Sequence, residues 1–526
     1  MKKSRLLALM LVAALMFSVF AGCAKTETET TAGGSEGSES EQQSGEGNVR
    51  RDIVIGEGSD VVSLDPIEIT DNYSAHVLYM TNDGLMKLNE NTEIVPWLAE
   101  SVEEVSETEY IFHLREGVMF HNGEELKASD VKFTLERVKN SPKQGYLLAV
   151  LDKVEIIDDY TVRTTLSEPY APFLLNLTES QTVIVNEKAV TEAGDKYAQN
   201  PVGTGPMKFS EWKANDHVTL VKNENYFMGA PEADSITIKV YPEASSRSIA
   251  LETGEVDLIT PVPPVDINRI KENPDLETIE MVSSTLSYVT LNTSKKPLDN
   301  LQVRQAMEYL TDKDTLIEVV REGYGVKAHS PIPTIGAMYD ETLEDMYTFD
   351  VEKAKELLTE AGYADGFTVT MNVSSDDNKR LAECMQSEFA KANITMNIEV
   401  MEFGALLAYL NTGEHDMFIM GWSQGNTNPD KTLTNNFHSS MIGASGNRSW
   451  LNSPEVDGWI EAARRTTDTA VQKENYDKVQ RYVMENAIWI PLYQTINVSA
   501  FNKNAEGIVW YKHGWGDFTN MVIRES

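Results

Sequence analysis

Cysteine is nearly absent: Cys23 and Cys384 are the two in 526 residues. So small a number excludes a disulfide scaffold as the basis of the fold. Cys384 falls in RLAECMQSEFAKA, a helical pattern with no histidine beside it, and reads as a small buried hydrophobe, not a catalytic thiol. Positive charge is short as well. Against 82 acidic residues stand 45 lysines and arginines, a formal charge of −37. That balance excludes nucleic acid as a partner and docking on anionic lipid by a basic face, and leaves a solvated acidic surface. Beyond the N-terminus no stretch approaches the roughly 20 apolar residues of a membrane helix. The eight histidines (His76, His113, His121, His217, His329, His415, His438 and His513) never pair at metal-ligand spacing, and neither H-E-x-x-H nor C-x-x-C occurs. No metal site and no cofactor are expected. Nucleotide loops are missing too. Gly203-Thr204-Gly205-Pro206 looks like a phosphate loop, but Pro206 removes a donor and no helix pattern follows, so it reads as a turn.

What the chain does have begins at its N-terminus. Lys2, Lys3 and Arg5 precede an apolar run from Leu6 to Phe20, then the small pair Ala21-Gly22. Residues 1–22 therefore read as a secretory signal, too short to span a membrane and stay. A cysteine directly after the cut resembles the lipobox of bacterial lipoproteins, where diacylglycerol is added to that thiol; Phe20 stands where leucine is usual. The resemblance implies lipidation at Cys23 and an extracytoplasmic protein held at the outer face of the cytoplasmic membrane, or in a periplasm where there are two membranes. Residues 23–50, rich in Glu, Ser, Thr, Gly and Gln, cannot bury enough to order themselves and form an acidic tether. Its reach is roughly 25–30 Å.

The remaining body, 41% hydrophobic and 24% charged over the whole chain, is globular in composition and too long for one core. Strand and helix signals alternate along it. Tyr110 to Arg115 reads as a strand, followed by a turn at Asn122-Gly123 and a helix capped by Ser129 with Val131, Leu135 and Val138 on one face. Val303, Ala306, Met307 and Leu310 sit at helical spacing. Asp350 caps a helix carrying Ala354, Leu357, Leu358 and Ala361, which Gly362 stops. Val471, Val479, Tyr482 and Val483 mark a long helix bounded by Pro491, and HVTLVKN, SITIKV, FTVTMNV and HDMFIM are short strands. The class is α/β, without internal repeats.

One catalytic motif has to be weighed. Gly421-Trp422-Ser423-Gln424-Gly425 fits the G-x-S-x-G elbow of serine hydrolases, and His513 would complete the serine, acid, histidine order. The elbow needs a helix at once, so that backbone N–H groups serve the oxyanion. Here Asn426-Thr427-Asn428-Pro429 follows, a cluster of helix breakers. A hydrolase using Ser423 stays as the distant alternative.

Seven further blocks, in order, carry a broader resemblance. Among them are IVPWLAESVEEVSETEYIFHLREGVMFHNGEELKASDVKFTLERV (94–138), NPVGTGPMKFSEWKANDHVTLVKNENYF (200–227), YVTLNTSKKPLDNLQVRQAMEYLTDKDTLI (288–317) and MFIMGW (417–422). From about Ile53 to Gly507 the chain resembles the peptide/nickel family, family 5, of bacterial extracellular solute-binding proteins that feed ABC importers. The resemblance implies no enzyme but a two-lobed, type II periplasmic-binding-protein-like fold with a hinge and an extra subdomain in the first lobe. Residues 51–80, 200–290 and 500–526 would form the main part of lobe I, 81–199 its extra subdomain, and 291–499 lobe II. It implies a monomer that captures peptides, oligopeptides or modified ones, and delivers them to permease and ATPase subunits. A neutral oligosaccharide or a metal chelate such as nickel's is the alternative cargo.

By that resemblance the ligand-binding residues are Asn72 and Tyr73 in lobe I, with Trp422, Ser423, Gln424, Asn426 and His438 in lobe II. Trp422 is expected at a loop after the strand, offering a flat apolar face. Two departures matter. Gly425 stands where peptide receptors of this family commonly carry an aspartate for the ligand's α-amino group, and Asn372 to Ser375 occupy the loop where dipeptide receptors carry an arginine for the carboxylate. A buried terminus without a partner costs several kcal/mol, so the usual two-ended ion-pair scheme for a free dipeptide does not fit.

Overall fold

Capping and periodicity place many elements where the pattern puts them. Asp350 accepts the Lys353 N–H at 2.9 Å and opens the helix Val351–Glu360, and Gly362 leaves it at a φ of +81°. The strands His217–Lys222, Ser235–Val240 and Phe367–Val373 form as read. Other ends shift. The helix Ala128–Lys139 begins ahead of Ser129, because Asp130 reaches back to accept the Lys127 N–H at 3.0 Å. In the helix Thr469–Glu485, Val479 and Val483 are buried but Val471 is 40% exposed, since the first turn overhangs the core. Cys384, on the helix Asp376–Ala390, is only partly buried against the core.

The computed structural model describes residues 48–424, 428–443, 446–512 and 516–525. Its main sheet runs Ile394–Val400, Phe367–Val373, Met417–Ser423, Leu276–Leu291, Trp489–Asn502, Leu258–Ile259, Asp52–Glu57, Ser235–Val240, His217–Lys222, Met207–Lys213. A separate antiparallel sheet, Ala99–Ser106 with Glu109–Leu114, Thr161–Leu166 and Leu151–Asp158, packs with Ala128–Lys139 over its own core of Phe112, Val131, Leu135 and Val162. Two strands pass from one half of the main sheet to the other. Leu276–Leu291 and Trp489–Asn502 pair antiparallel at both ends, but the register shifts between Val282 and Leu286 and again between Ser287 and Tyr288. Toward one end Val498 and Ala500 pack with Ile259, Ile267 and Ile270. Toward the other, Val289, Leu291, Ile490 and Leu492 join Val303, Met307, Leu358 and Met371. The fold is thus the two-lobed α/β type, its halves joined by these two crossing strands. Gln494, fully buried there, donates to the Ser283 carbonyl at 3.2 Å and accepts from the Thr334 N–H at 2.9 Å, so the shifted backbone keeps its partners.

Val49–Arg50, at the end of the stretch read as tether, pairs antiparallel with Val522–Arg524, and Arg50 grips Asp257. Gly203 and Gly205 are not a phosphate loop. A side-chain carbon at either would lie 2.1 Å from the Thr81 carbonyl oxygen or 2.4 Å from its carbon, so glycine lets this segment run under the end of the helix Asn72–Thr81. The signal and Cys23 lie outside the described residues.

Candidate functional site

The strand Met417–Ser423 buries Met417, Phe418 and Ile419 and pairs with its crossing neighbour from Leu291↔Met417 to Thr285↔Ser423. Trp422 therefore lies in a strand, not in the loop expected after Gly421. Glycine does not break the ladder, because cross-strand pairing outweighs its weak strand propensity. On the other side, Phe367–Val373 pairs only at Met371↔Met417 and Asn372↔Phe418 before the chain turns into the helix Asp376–Ala390. Asn378 Nδ2 donates to the Ile419 carbonyl at 3.3 Å. The Gln424 N–H donates to the Ser284 carbonyl at 3.3 Å, so antiparallel alternation turns the backbone groups of Trp422 toward the crossing strand and those of Gly421 and Ser423 toward the opposite edge. Among the described residues no strand pairs with that edge beyond Phe418.

Around this edge the side chains are neutral and polar. The indole N–H of Trp422 donates to Thr432 Oγ1, and the Thr432 hydroxyl donates to Gln424 Oε1. The Trp422 ring packs against the cluster of Leu286, Tyr288 and Phe418. Gln424 Nε2 is buried without a partner among the described residues. Ser423 Oγ faces Ser284 Oγ at 3.4 Å, no imidazole among the described residues is bonded to it, and the helix Asp430–Phe437 is entered from Pro429.

Beside the strand Met207–Lys213, at the far end of the main sheet, Asp71 accepts the Ser74 N–H at 2.8 Å and caps Asn72–Thr81, leaving Asn72 exposed in the first turn. Tyr73 stands near Gly58 and Arg247: a side-chain carbon at Gly58 would fall 2.8 Å from Arg247 Nη1 and 3.3 Å from the Tyr73 oxygen. Arg247 is buried, donates to the carbonyls of Tyr241 at 3.1 Å and Pro261 at 3.3 Å, and has an Nε without a partner among the described residues. Burial pulls its guanidinium below the ordinary range, and burial followed by the Glu57 charge pushes the Tyr73 phenol up. Glu57 itself is paired with His76 Nδ1 at 2.8 Å.

So Trp422, Ser423 and Gln424 come together, while Asn72 and Tyr73 form a second group with Arg247. His438 belongs to neither. Its ring lies 3.8 Å from Asp457 and 3.5 Å from Glu461, and Ser440 Oγ bonds Nδ1 at 2.8 Å. Asn426, Gly425 and His513 lie outside the described residues.

A cavity of about 140 Å³ lies where residues 146–176 meet residues 428–464. Across it the Ala171 N–H donates to the Arg464 carbonyl at 2.9 Å. Arg464 Nη2 pairs with Asp430 at 3.1 Å, and the same carboxylate accepts from Tyr476 at 3.3 Å and Tyr170 at 3.5 Å. Sequence reading missed these residues and Thr432. The available signal was Pro429-Asp430, a proline and an acid that open a helix as readily as they break one.

The family description "Bacterial extracellular solute-binding proteins, family 5 Middle" matches residues 93–444. The chain is 32% identical to the glutathione-binding protein GsiB of Pectobacterium atrosepticum, over 87% of this chain and 91% of that one. It is also 32% identical to the dipeptide-binding protein of Escherichia coli, over 82% of this chain and 86% of that one. Among solved structures, the periplasmic binding protein DppA of Helicobacter pylori in complex with peptide STSA superposes with a TM-score of 0.78 at 30% identity, covering 90% of this chain and 98% of that one.

Proposed function

Because the chain belongs to the bacterial extracellular solute-binding proteins of family 5, we propose that it captures peptides between its lobes and passes them to the permease and ATPase of an ABC importer. Membership supports an extracytoplasmic binding role in transport, and not an enzyme's. The observation that carries the peptide reading is the open edge at Gly421 and Ser423. An extended peptide is a row of N–H and C=O groups at strand spacing, so adding it there satisfies main chain with main chain whatever its side chains. An oligosaccharide has no such repeat. The ligands named for the three similar proteins, glutathione, a dipeptide and STSA, all contain peptide bonds.

In this reading residues 51–80, 200–290 and 500–526 make lobe I, 81–199 its subdomain and 291–499 lobe II, in a monomer. Contacts from both lobes exist together only when the lobes are closed, so a ligand shifts the equilibrium toward closure by its differential affinity. Asn72 and Tyr73 contact the guest from one side, Trp422, Ser423, Gln424 and Asn426 from the other, with His438 at the margin. Cys23 carries the lipid anchor, and residues 23–50 tether the body to it.

Thermal shift and native mass spectrometry of the purified protein test this with three probes: a mixed tetrapeptide library, maltodextrins and nickel–histidine. A ligand at about 1,000 times its Kd adds roughly 4 kcal/mol of apparent stability. Stabilisation by peptides is expected. Stabilisation by sugar or chelate alone ends the peptide reading. Cys23→Ser should move the protein from the membrane fraction to the soluble one, and an unchanged distribution would end the anchor reading.

A further inference from the structure

The cavity between residues 146–176 and 428–464 holds two cations, Lys431 and Arg464, against one carboxylate, Asp430. Arg464 is neutralised, with its guanidinium 3.1 Å from Asp430. That carboxylate is further held by the phenols of Tyr476 and Tyr170. Lys431 has no such counterpart. Among the described residues it makes no ion pair, and its ammonium stands 5.3 Å from the centre of the Tyr146 ring. Burial pulls its pKa down, but the Tyr146 phenol and the Glu179 charge more than offset this, so it stays charged at neutral pH.

In a chain of formal charge −37, a cation in a concave site with no carboxylate at ion-pair distance among the described residues is the exception. It is also an unfavourable place to leave a charge unless something of opposite sign arrives. The surrounding wall suits an incoming anion: Asn176, Thr434 and Asn435 supply neutral polar groups, and the rings of Tyr146 and Tyr170 border the space. Its volume of about 140 Å³ exceeds the 10–15 Å³ or so that one water needs, leaving room for a group of several heavy atoms. Half of the wall comes from each side, and the Ala171–Arg464 bond spans the two.

We propose that Lys431 determines specificity by receiving a carboxylate of the captured peptide, either its C-terminus or an acidic side chain. The inference rests on the peptide reading above and deepens it. The carboxylate would meet Lys431 only once both walls are together, so the ion pair favours the closed, loaded form over the open one.

Calorimetry on the full-length protein tests this with three synthetic tetrapeptide pools: free acids, the same sequences C-terminally amidated, and amides ending in glutamate. The wild type should bind the free acids, the glutamate amides or both roughly tenfold or more tightly than the neutral amides. Which anionic pool is preferred identifies the source of the carboxylate. Lys431→Met should erase the preference while leaving the neutral amides as they are, and Lys431→Arg should keep it. Equal binding of all pools by the wild type, or a preference that survives in Lys431→Met, overturns the inference alone. If no pool binds the wild type at all, the peptide reading falls and takes this inference with it.

Discussion

Trp422 and Thr432 are joined by a hydrogen bond of 2.9 Å from indole nitrogen to hydroxyl, and the hydroxyl proton goes on to Gln424 at 3.2 Å. One small side chain thus ties the end of the strand Met417–Ser423 to the helix Asp430–Phe437. Thr432→Val keeps the shape but leaves both neighbours without this partner. The cost should be about 1–3 kcal/mol, read as a lower urea midpoint at unchanged slope, and Thr432→Ser should recover most of it. A midpoint equal to wild type in the valine variant would show the bond to be incidental.

Gly421→Pro addresses the open edge. Proline removes the one N–H that Gly421 presents there and leaves the pairing of Trp422 and Met420 with the crossing strand in place. Peptide affinity should fall by roughly tenfold or more, while stability changes by about 1 kcal/mol. Calorimetry that finds peptide affinity intact would remove main-chain pairing from the account.

Arg464→Met leaves the Asp430 carboxylate, only 4% exposed, without its cation. Because the arginine is itself partly exposed, the expected loss is about 2–3 kcal/mol, below that of a fully buried pair. Adding Asp430→Asn should restore much of it, and a double variant no more stable than Arg464→Met would refute the pairing argument.

Acid should weaken the fold through its buried imidazoles. His415 is fully buried, donates from Nε2 to the Arg448 carbonyl at 2.8 Å, and has its pKa lowered by burial from 6.5 to about 4. The folded state therefore keeps the ring neutral where the unfolded chain would protonate it. Its contribution is complete above pH 6.5 and drains away as the pH falls toward 4, by about 3 kcal/mol for this residue. Urea midpoints at pH 7 and pH 4.5 should show the drop, reduced in His415→Gln. A profile equally steep in that variant would assign the acid sensitivity elsewhere.

Much of this architecture could be read from residues with short-range consequences. Asp350 and Gly362 mark a helix because capping and positive φ are decided within one turn. The apolar alternation of Ser235–Val240 marks a strand for the same reason. Partners far along the chain were illegible. Gly421 looks like a strand end until Thr285 and Ser287 are known to pair beside it. Gly203 and Gly205 look like a ligand loop until the end of a helix more than a hundred residues earlier is placed against them. Of the candidate site, Trp422, Ser423 and Gln424 were visible as a block. Thr432, Tyr170 and Arg464 become meaningful only when separate segments are folded together, as do Asp457 and Glu461 of the helix Pro454–Arg464, which flank the His438 ring.

The pairing of Val49–Arg50 with Val522–Arg524 puts the start and the finish of the folded chain side by side. The segment from 292 to 488 leaves along one crossing strand and returns along the other, so it owns no loose end. Any leash attached ahead of residue 49 pulls on a single corner, and the half bearing Trp422 hangs from that corner by two ribbons. A fluorophore or affinity handle fused after Ser526 would crowd the leash. One inserted in an exposed loop of the hanging half would stand clear of that corner.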